Sequence, residues 1–260
     1  VLTMPLAELL NNYLPFILIS ARVTGLFVLA PVYGAAVIPN RVKAALIIVI
    51  SIILQFGLKI GVNVTDSGFE MILIYVMREF LTGLGMGTIV AMTFHSLGLA
   101  GAILAPQMGF AMSEMVDPQN QTSASVLSNF FYLLALAFFV AIDGHVLIIK
   151  GLIESYRLLP LGEWAMGASF IEFIMKSAAG MFVIAFTISI PMLAVVLFVN
   201  AGMSMMARAV PQFNIFVVGF IIMISAGIVS MALFLPYYSG FISSKLMDAM
   251  EQMLWLLKSI

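Results

Sequence analysis

The residues able to do chemistry in this chain are few, and their spacing decides what they can be. Asp143-Gly144-His145 sets a carboxylate and an imidazole two positions apart, the types that relay protons in pumps. They fall near the end of an apolar segment, next to Lys150, and read as an interfacial helix end. His95, the other histidine, reads the same way. Two histidines so far apart cannot build H-E-x-x-H, and G-x-S-x-G is absent. Gly83-Leu-Gly85-Met-Gly87 lacks both the preceding strand and the G-x-G-x-x-G spacing of a nucleotide loop. Gly83 and Gly87 instead form G-x-x-x-G, which lets helices approach closely. Two N-x-[ST] triplets, at Asn63 and Asn120, are of a kind that arises often by chance. With no cysteine, disulfides, thiolate zinc sites and thiolate nucleophiles drop out together. No catalytic constellation emerges, and no metal or cofactor is expected.

Charges inside apolar segments are the other notable residues, because each is costly in lipid and needs a reason. Arg22 lies well inside the first segment and reads as buried against carbonyls or a carboxylate. Arg78 and Glu79 are consecutive, hence about 100° apart on a helix, and need different partners. Pairing between subunits is the expectation for them.

Composition explains why such charges stand out. Of 260 residues, 63% are hydrophobic and only 9% charged, against about 25% in a soluble domain. Mean hydropathy is +1.17. A soluble enzyme is excluded for want of polar surface, and disorder for want of polarity. A net charge of −1 makes nucleic acid no partner.

These residues must be positioned by apolar helices. The candidates are 13–37, 44–58, 71–94, 97–112, 130–149, 170–207 and 215–238, with a mixed connector from Lys150 to about Ser169. The expected fold is all-α: hydrophobic helical hairpins, five to six long apolar helices, and a C-terminal amphipathic helix over 245–260. In that last helix Leu246, Met250, Met253 and Leu257 share one face, suited to an interface or a partner. A membrane barrel would alternate polar and apolar residues, and these runs do not. A hairpin tip is expected where Arg208 meets Pro211. No signal peptide pattern opens the chain, so the first apolar segment is expected in the mature protein. Arg41 and Lys43 favour the cytoplasmic side for their loop. Residues 114–129 are the most polar stretch. Most of the 20 methionines read as helix formers and gap fillers. Met108, Met112 and Met115, with Phe110 among them, admit a second reading: flexible thioethers that fit round a passing object and reseal.

Four segments are distinctive together: Arg22-Val-Thr-Gly25 with Pro31-Val-Tyr-Gly34 and Pro39-Asn-Arg41-Val-Lys43; Gly83-Leu-Gly85-Met-Gly87; Pro106-Gln-Met-Gly109-Phe110 through Asp117-Pro118; and Arg208-Ala-Val-Pro211-Gln212-Phe-Asn214-Ile-Phe216-Val-Val-Gly219-Phe220. In this order the chain resembles the FliR family, the R subunits of the flagellar type III export gate and their injectisome relatives. Ile221 stands where the family commonly has proline. The resemblance implies a non-enzymatic pore and gate subunit in a bacterial inner membrane, at the base of the flagellum. It implies several P and Q subunits around a single R, contact with other inner-membrane export subunits and lipid, and unfolded exported proteins as substrate. It also implies a plug at rest, here Pro106, Gln107, Met108, Gly109, Phe110, Met112 and Met115, with Gly109 letting the loop bend aside. Arg22, Arg78, Glu79, Gly83, Gly87, Arg208, Pro211 and Asn214 would serve assembly. The competing class is a secondary transporter with an intramembrane ion or solute site, built from discontinuous helices in two matching halves. Pro106-Gln107 and Pro211-Gln212 echo each other, without a wider repeat.

Overall fold

The computed structural model describes residues 4–34, 38–58, 69–110, 126–163, 168–209 and 215–259. Seven helices and no strands occur among them: α1 Met4–Leu29, α2 Asn40–Leu58, α3 Phe69–Gln107, α4 Val126–Ala141, α5 Gly144–Leu158, α6 Ala168–Ala209 and α7 Ile215–Ser259. Four of them contain stretches long and apolar enough to cross a membrane: α2, α3, α6 and α7. The broken pair α4 and α5 makes a fifth candidate.

Several boundaries differ from those expected. The segments 71–94 and 97–112 are one 39-residue helix, α3, ending at Gln107. Nothing between Phe69 and Ala105 breaks a helix, because the glycines there are mostly buried in packing that offsets their poor propensity. The span expected at 130–149 ends at Ala141, where Ile142 turns and Asp143 takes the left-handed conformation (φ 55°) before α5. Helix α5 then runs to Leu158, through much of what reads as connector. The segments 215–238 and 245–260 are one 45-residue helix, since Pro236 is accommodated inside it. Helix α1 stops at Leu29 rather than 37.

The chain divides into two compact units. The first comprises Val1–Met92, Asp143–Ser177 and Leu246–Ile260. Its core includes Leu18, Ile19 and Leu26 of α1, Met86 of α3, Ile148 and Leu152 of α5, and Met253 and Leu257 of α7. The amphipathic C-terminal segment therefore does not wait for a partner: its apolar face is buried inside this unit. Met253 lies against Gly151, leaving no room for a Cβ there, and Trp255 stacks on Phe173 at 5.3 Å. Helix α2 is the opposite case. Only Ser51 and Leu54 of it are buried, and Phe56 is 76% exposed. An apolar helix so bare requires lipid or another protein around it.

The second unit comprises Thr93–Ile142 and Ala178–Lys245. Phe94 packs edge-on against Phe139 at 5.3 Å and Tyr132 at 6.0 Å. Gly101 brings α3 against the Leu127 carbonyl of α4. Pro191 lies inside α6 and deprives the Thr187 carbonyl of its helical N–H donor. There the Tyr238 hydroxyl of α7 donates to the Ile188 carbonyl at 2.8 Å, tying the two helices together.

Candidate functional site

Two arrangements stand out, one in each unit. In the first, Arg22 is fully buried and each of its three guanidinium nitrogens donates a hydrogen bond. Its Nε donates to Glu79 Oε2 at 2.6 Å, one terminal nitrogen to Ser155 Oγ at 3.2 Å, and the other to the Leu159 carbonyl at 3.1 Å. The Tyr156 ring lies 4.4 Å from its Cζ, a cation–π contact, while the Tyr156 hydroxyl donates to the Ile19 carbonyl. Glu79 is equally well held, since its Oε1 accepts from the Gly162 amide at 3.0 Å. That amide is aimed by a turn in which Gly162 has φ +85°, a conformation glycine reaches without strain. Removing two charges from water is costly, and only such complete pairing with extra hydrogen bonds offsets it.

The helices carrying the pair approach closely because they meet at glycines. A Cβ on Gly25 would run into the Phe80 carbonyl, and one on Gly83 into the Arg22 carbonyl. A Cβ on Gly87 would lie 2.8 Å from the Leu26 carbonyl. The G-x-x-x-G pattern thus brings α3 onto α1 at the level of the ion pair. Glu79 finds its partner within its own chain, not across a subunit boundary as its position beside Arg78 suggested. Arg78 itself is half-buried, with the Tyr75 ring 5.9 Å from its Cζ. Ser155, the Leu159 carbonyl and the Gly162 amide carried no signal in the sequence, because none is a charged or unusual residue.

The second arrangement is the end of α3. The Gly109 amide donates to the Pro106 carbonyl at 3.2 Å and the Phe110 amide to the Ala105 carbonyl at 3.0 Å. With Gly109 at φ +86°, this is a Schellman cap, which closes a helix and satisfies its last carbonyls. Gly109 thus supplies the positive φ of the helix stop. Met108 and Gly109 are buried, Phe110 is half-buried, and Pro106 and Gln107 are exposed. Met112 and Met115 lie outside the described residues, as do Pro211 and Asn214 at the expected hairpin tip.

Arg208 is exposed in the last turn of α6, where a positive charge interacts favourably with the helix dipole. Arg208→Ala should therefore cost no more than about 1 kcal/mol. Thermal melts of the purified complex would check this, and a loss as large as that of an Arg22 variant would overturn it. Asp143 and His95 are exposed, and His145 is half-buried with its carbonyl accepting from Tyr33 at 3.2 Å. Among the described residues no three His, Asp or Glu side chains cluster to hold a metal.

Comparison with known proteins settles the lineage. The family model described as bacterial export proteins, family 1, matches residues 13–249. The chain belongs to this family. It is an export protein, not an enzyme. Among its relatives is a flagellar biosynthetic protein FliR of Bacillus subtilis, 28% identical over 215 residues and covering 82% of each chain. The Escherichia coli protein of the same name is 27% identical over 220 residues, 85% of this chain and 84% of its own. The one from Aquifex aeolicus is 29% identical over 234 residues, 87% of each. The match to the family takes in both the ion pair and the capped end of α3.

Proposed function

We propose that this chain is the R-type pore and gate subunit of a flagellar type III export apparatus, in the bacterial inner membrane at the base of the flagellum. In this role it passes unfolded flagellar subunits out of the cytoplasm. It works in a core complex with P- and Q-type subunits, beside other inner-membrane export subunits. Family membership supports the class of function. The observation that carries the assembly reading is the length and exposure of α6 and α7. At 42 and 45 residues they run about 63 and 68 Å, roughly twice the hydrocarbon thickness of a bilayer. Along them Phe182, Val183, Phe186, Leu197, Phe198, Leu233 and Tyr237 are exposed. Apolar surface on helices that outrun the bilayer needs protein neighbours, which P- and Q-type helices would supply. In this reading Arg22, Glu79, Gly83 and Gly87 serve assembly by giving the first unit its shape. Arg78, Arg208, Pro211 and Asn214 act at contacts with neighbouring subunits.

The loop that leaves the Schellman cap is the plug. Its polar sequence after residue 113 cannot face lipid without hydrogen-bond partners, whereas Gly109 to Met112 is apolar and small enough to fill a narrow lumen. Deleting Gly109 to Met112 should leave the complex assembled but leaky to small ions, and Phe110→Ala should leak less. Membrane conductance in cells expressing the whole gate tests this. A deletion that assembles normally and stays as tight as wild type would move the sealing role elsewhere. A secondary transporter would fold and bind alone, so a monodisperse, long-lived monomer in detergent would favour that class instead.

A further inference from the structure

The turn that ends α1, and helix α2 after it, belong neither to the ion pair nor to the capped end of α3. The turn is firmly made. The Gly34 amide donates to the Ala30 carbonyl at 2.8 Å, and the Tyr33 ring stacks on Phe27 at 4.3 Å. The Gly34 carbonyl in turn accepts from Lys43 Nζ at 3.0 Å. At this contact lies a cavity of about 270 Å³, walled by Thr24, Phe27 and Val28 of α1 and by Asn40, Lys43 and Ile47 of α2. Val28 and Asn40 are exposed, so the cavity opens to the surface. Lys43 has two donors beyond the one given to Gly34, and among the described residues it pairs with no carboxylate. Phe27, Val28 and Ile47 make much of the remaining wall apolar. The volume falls short of the about 300–1,000 Å³ of a pocket that encloses a whole small ligand. Such a cavity grips one part of an amphiphile whose remainder lies outside.

Outside lies the bare length of α2. Leu46, Ile48, Val49, Ile52, Ile53 and Phe56 are exposed, and they cover more than one side, since consecutive ones stand about 100° apart. At 19 residues α2 is about 29 Å long, close to the roughly 30 Å of a hydrocarbon layer, with Lys43 near its start. Helices that meet other helices in membranes carry small residues where the backbones approach, as Gly25 and Gly83 do between α1 and α3. The six exposed residues of α2 are all large, which suits acyl chains and not a closely packed helix.

We propose that the cavity and α2 form a binding site for one anionic phospholipid. Lys43, with the Asn40 amide on the same side of the helix, holds the phosphodiester. The root of the acyl chains lies against Phe27, Val28 and Ile47, and the chains run on along α2. The site requires α2 to lie in a bilayer and is independent of the pore reading.

The complex purified through this chain is placed in nanodiscs of phosphatidylcholine with a minor share of phosphatidylglycerol. Lipid retained after detergent extraction is then counted by mass spectrometry. Phosphatidylglycerol should be enriched over its share of the bilayer. Lys43→Gln should lower that enrichment about fivefold, the effect of one cationic side chain near an anionic surface. Lys43→Arg should keep most of it, and a loss as large as that of the glutamine variant would count against the site. Arg41 is the control: it is exposed and about 200° around the helix from Lys43, so Arg41→Gln should change the enrichment much less. Equal losses for Arg41→Gln and Lys43→Gln would mean diffuse attraction and overturn the proposal. Val28→Trp, which fills the cavity and leaves both charges, should also lower the enrichment, and full retention would remove the cavity from the site. Release of the lipid by excess inorganic phosphate would reduce the site to one for a free anion. The cysteine-free chain allows one further reading, through Ile53→Cys labelled with bimane. Lipids brominated in mid-chain should quench this label strongly. A label that they leave bright would show that another protein covers α2, and would overturn the proposal.

Discussion

Replacing Arg22 by alanine should remove most of the folded chain from the membrane. Glu79, 3% exposed, would be left with the Gly162 amide as its partner among the described residues. Breaking a buried pair from one side costs about 3–5 kcal/mol, a large share of the roughly 5–15 kcal/mol that stabilises a typical protein. The Ser155 hydroxyl and Leu159 carbonyl lose their donor too, which frees the turn after α5 from α1. Arg22→Lys should rescue little, because an ammonium cannot reach three divergent acceptors with the geometry of a guanidinium. Changing both partners, Arg22→Met with Glu79→Met, should recover a good part of the loss, since no uncompensated charge is left behind. The yield of detergent-extracted complex and its melting temperature give the readout. Wild-type yield for Arg22→Ala, or a double variant as poor as the single, would contradict this account.

Gly83→Ala should be the next most damaging change, although alanine is the better helix former by about 1 kcal/mol. Its methyl would meet the Arg22 carbonyl, with the Arg22 carbonyl carbon and the Leu26 amide nitrogen both at 2.9 Å. These are backbone atoms of a packed helix and cannot rotate away. Helices α1 and α3 would have to separate, drawing Arg22 from Glu79, so the overpacking penalty of about 1–3 kcal/mol is joined by a weakened ion pair. Gly180→Ala is the control. It sits within α6, where an added methyl would meet nothing within 4 Å, and should stabilise the complex or leave it unchanged. Equal melting temperatures for the two variants would show that helix propensity, not close approach, governs Gly83.

The sequence alone determined the solvent, the helical class and the residues that cannot sit in lipid unpaired. Hydropathy and charge are local quantities: a charge-free run as long as Ser177 to Ala207 can be nothing but buried or membrane helix. The same locality explains why Arg22 and Glu79 could be recognised as needing partners without those partners being known. They stand 57 positions apart, and only tertiary structure decides which charge meets which. The motif at Gly83 and Gly87 announced close packing but not against which helix. Likewise Leu246, Met250, Met253 and Leu257 announced an apolar face, yet whether a partner or the chain's own core covers it depends on residues as distant as Gly151. Gly109 makes the point most sharply. Its flexibility is intrinsic to glycine, but it becomes a cap because the carbonyls of Ala105 and Pro106 are left over at the end of α3 and Met108 has a seat on α7. Composition tells what a residue can tolerate; the contacts made across the fold tell which of its possibilities is used.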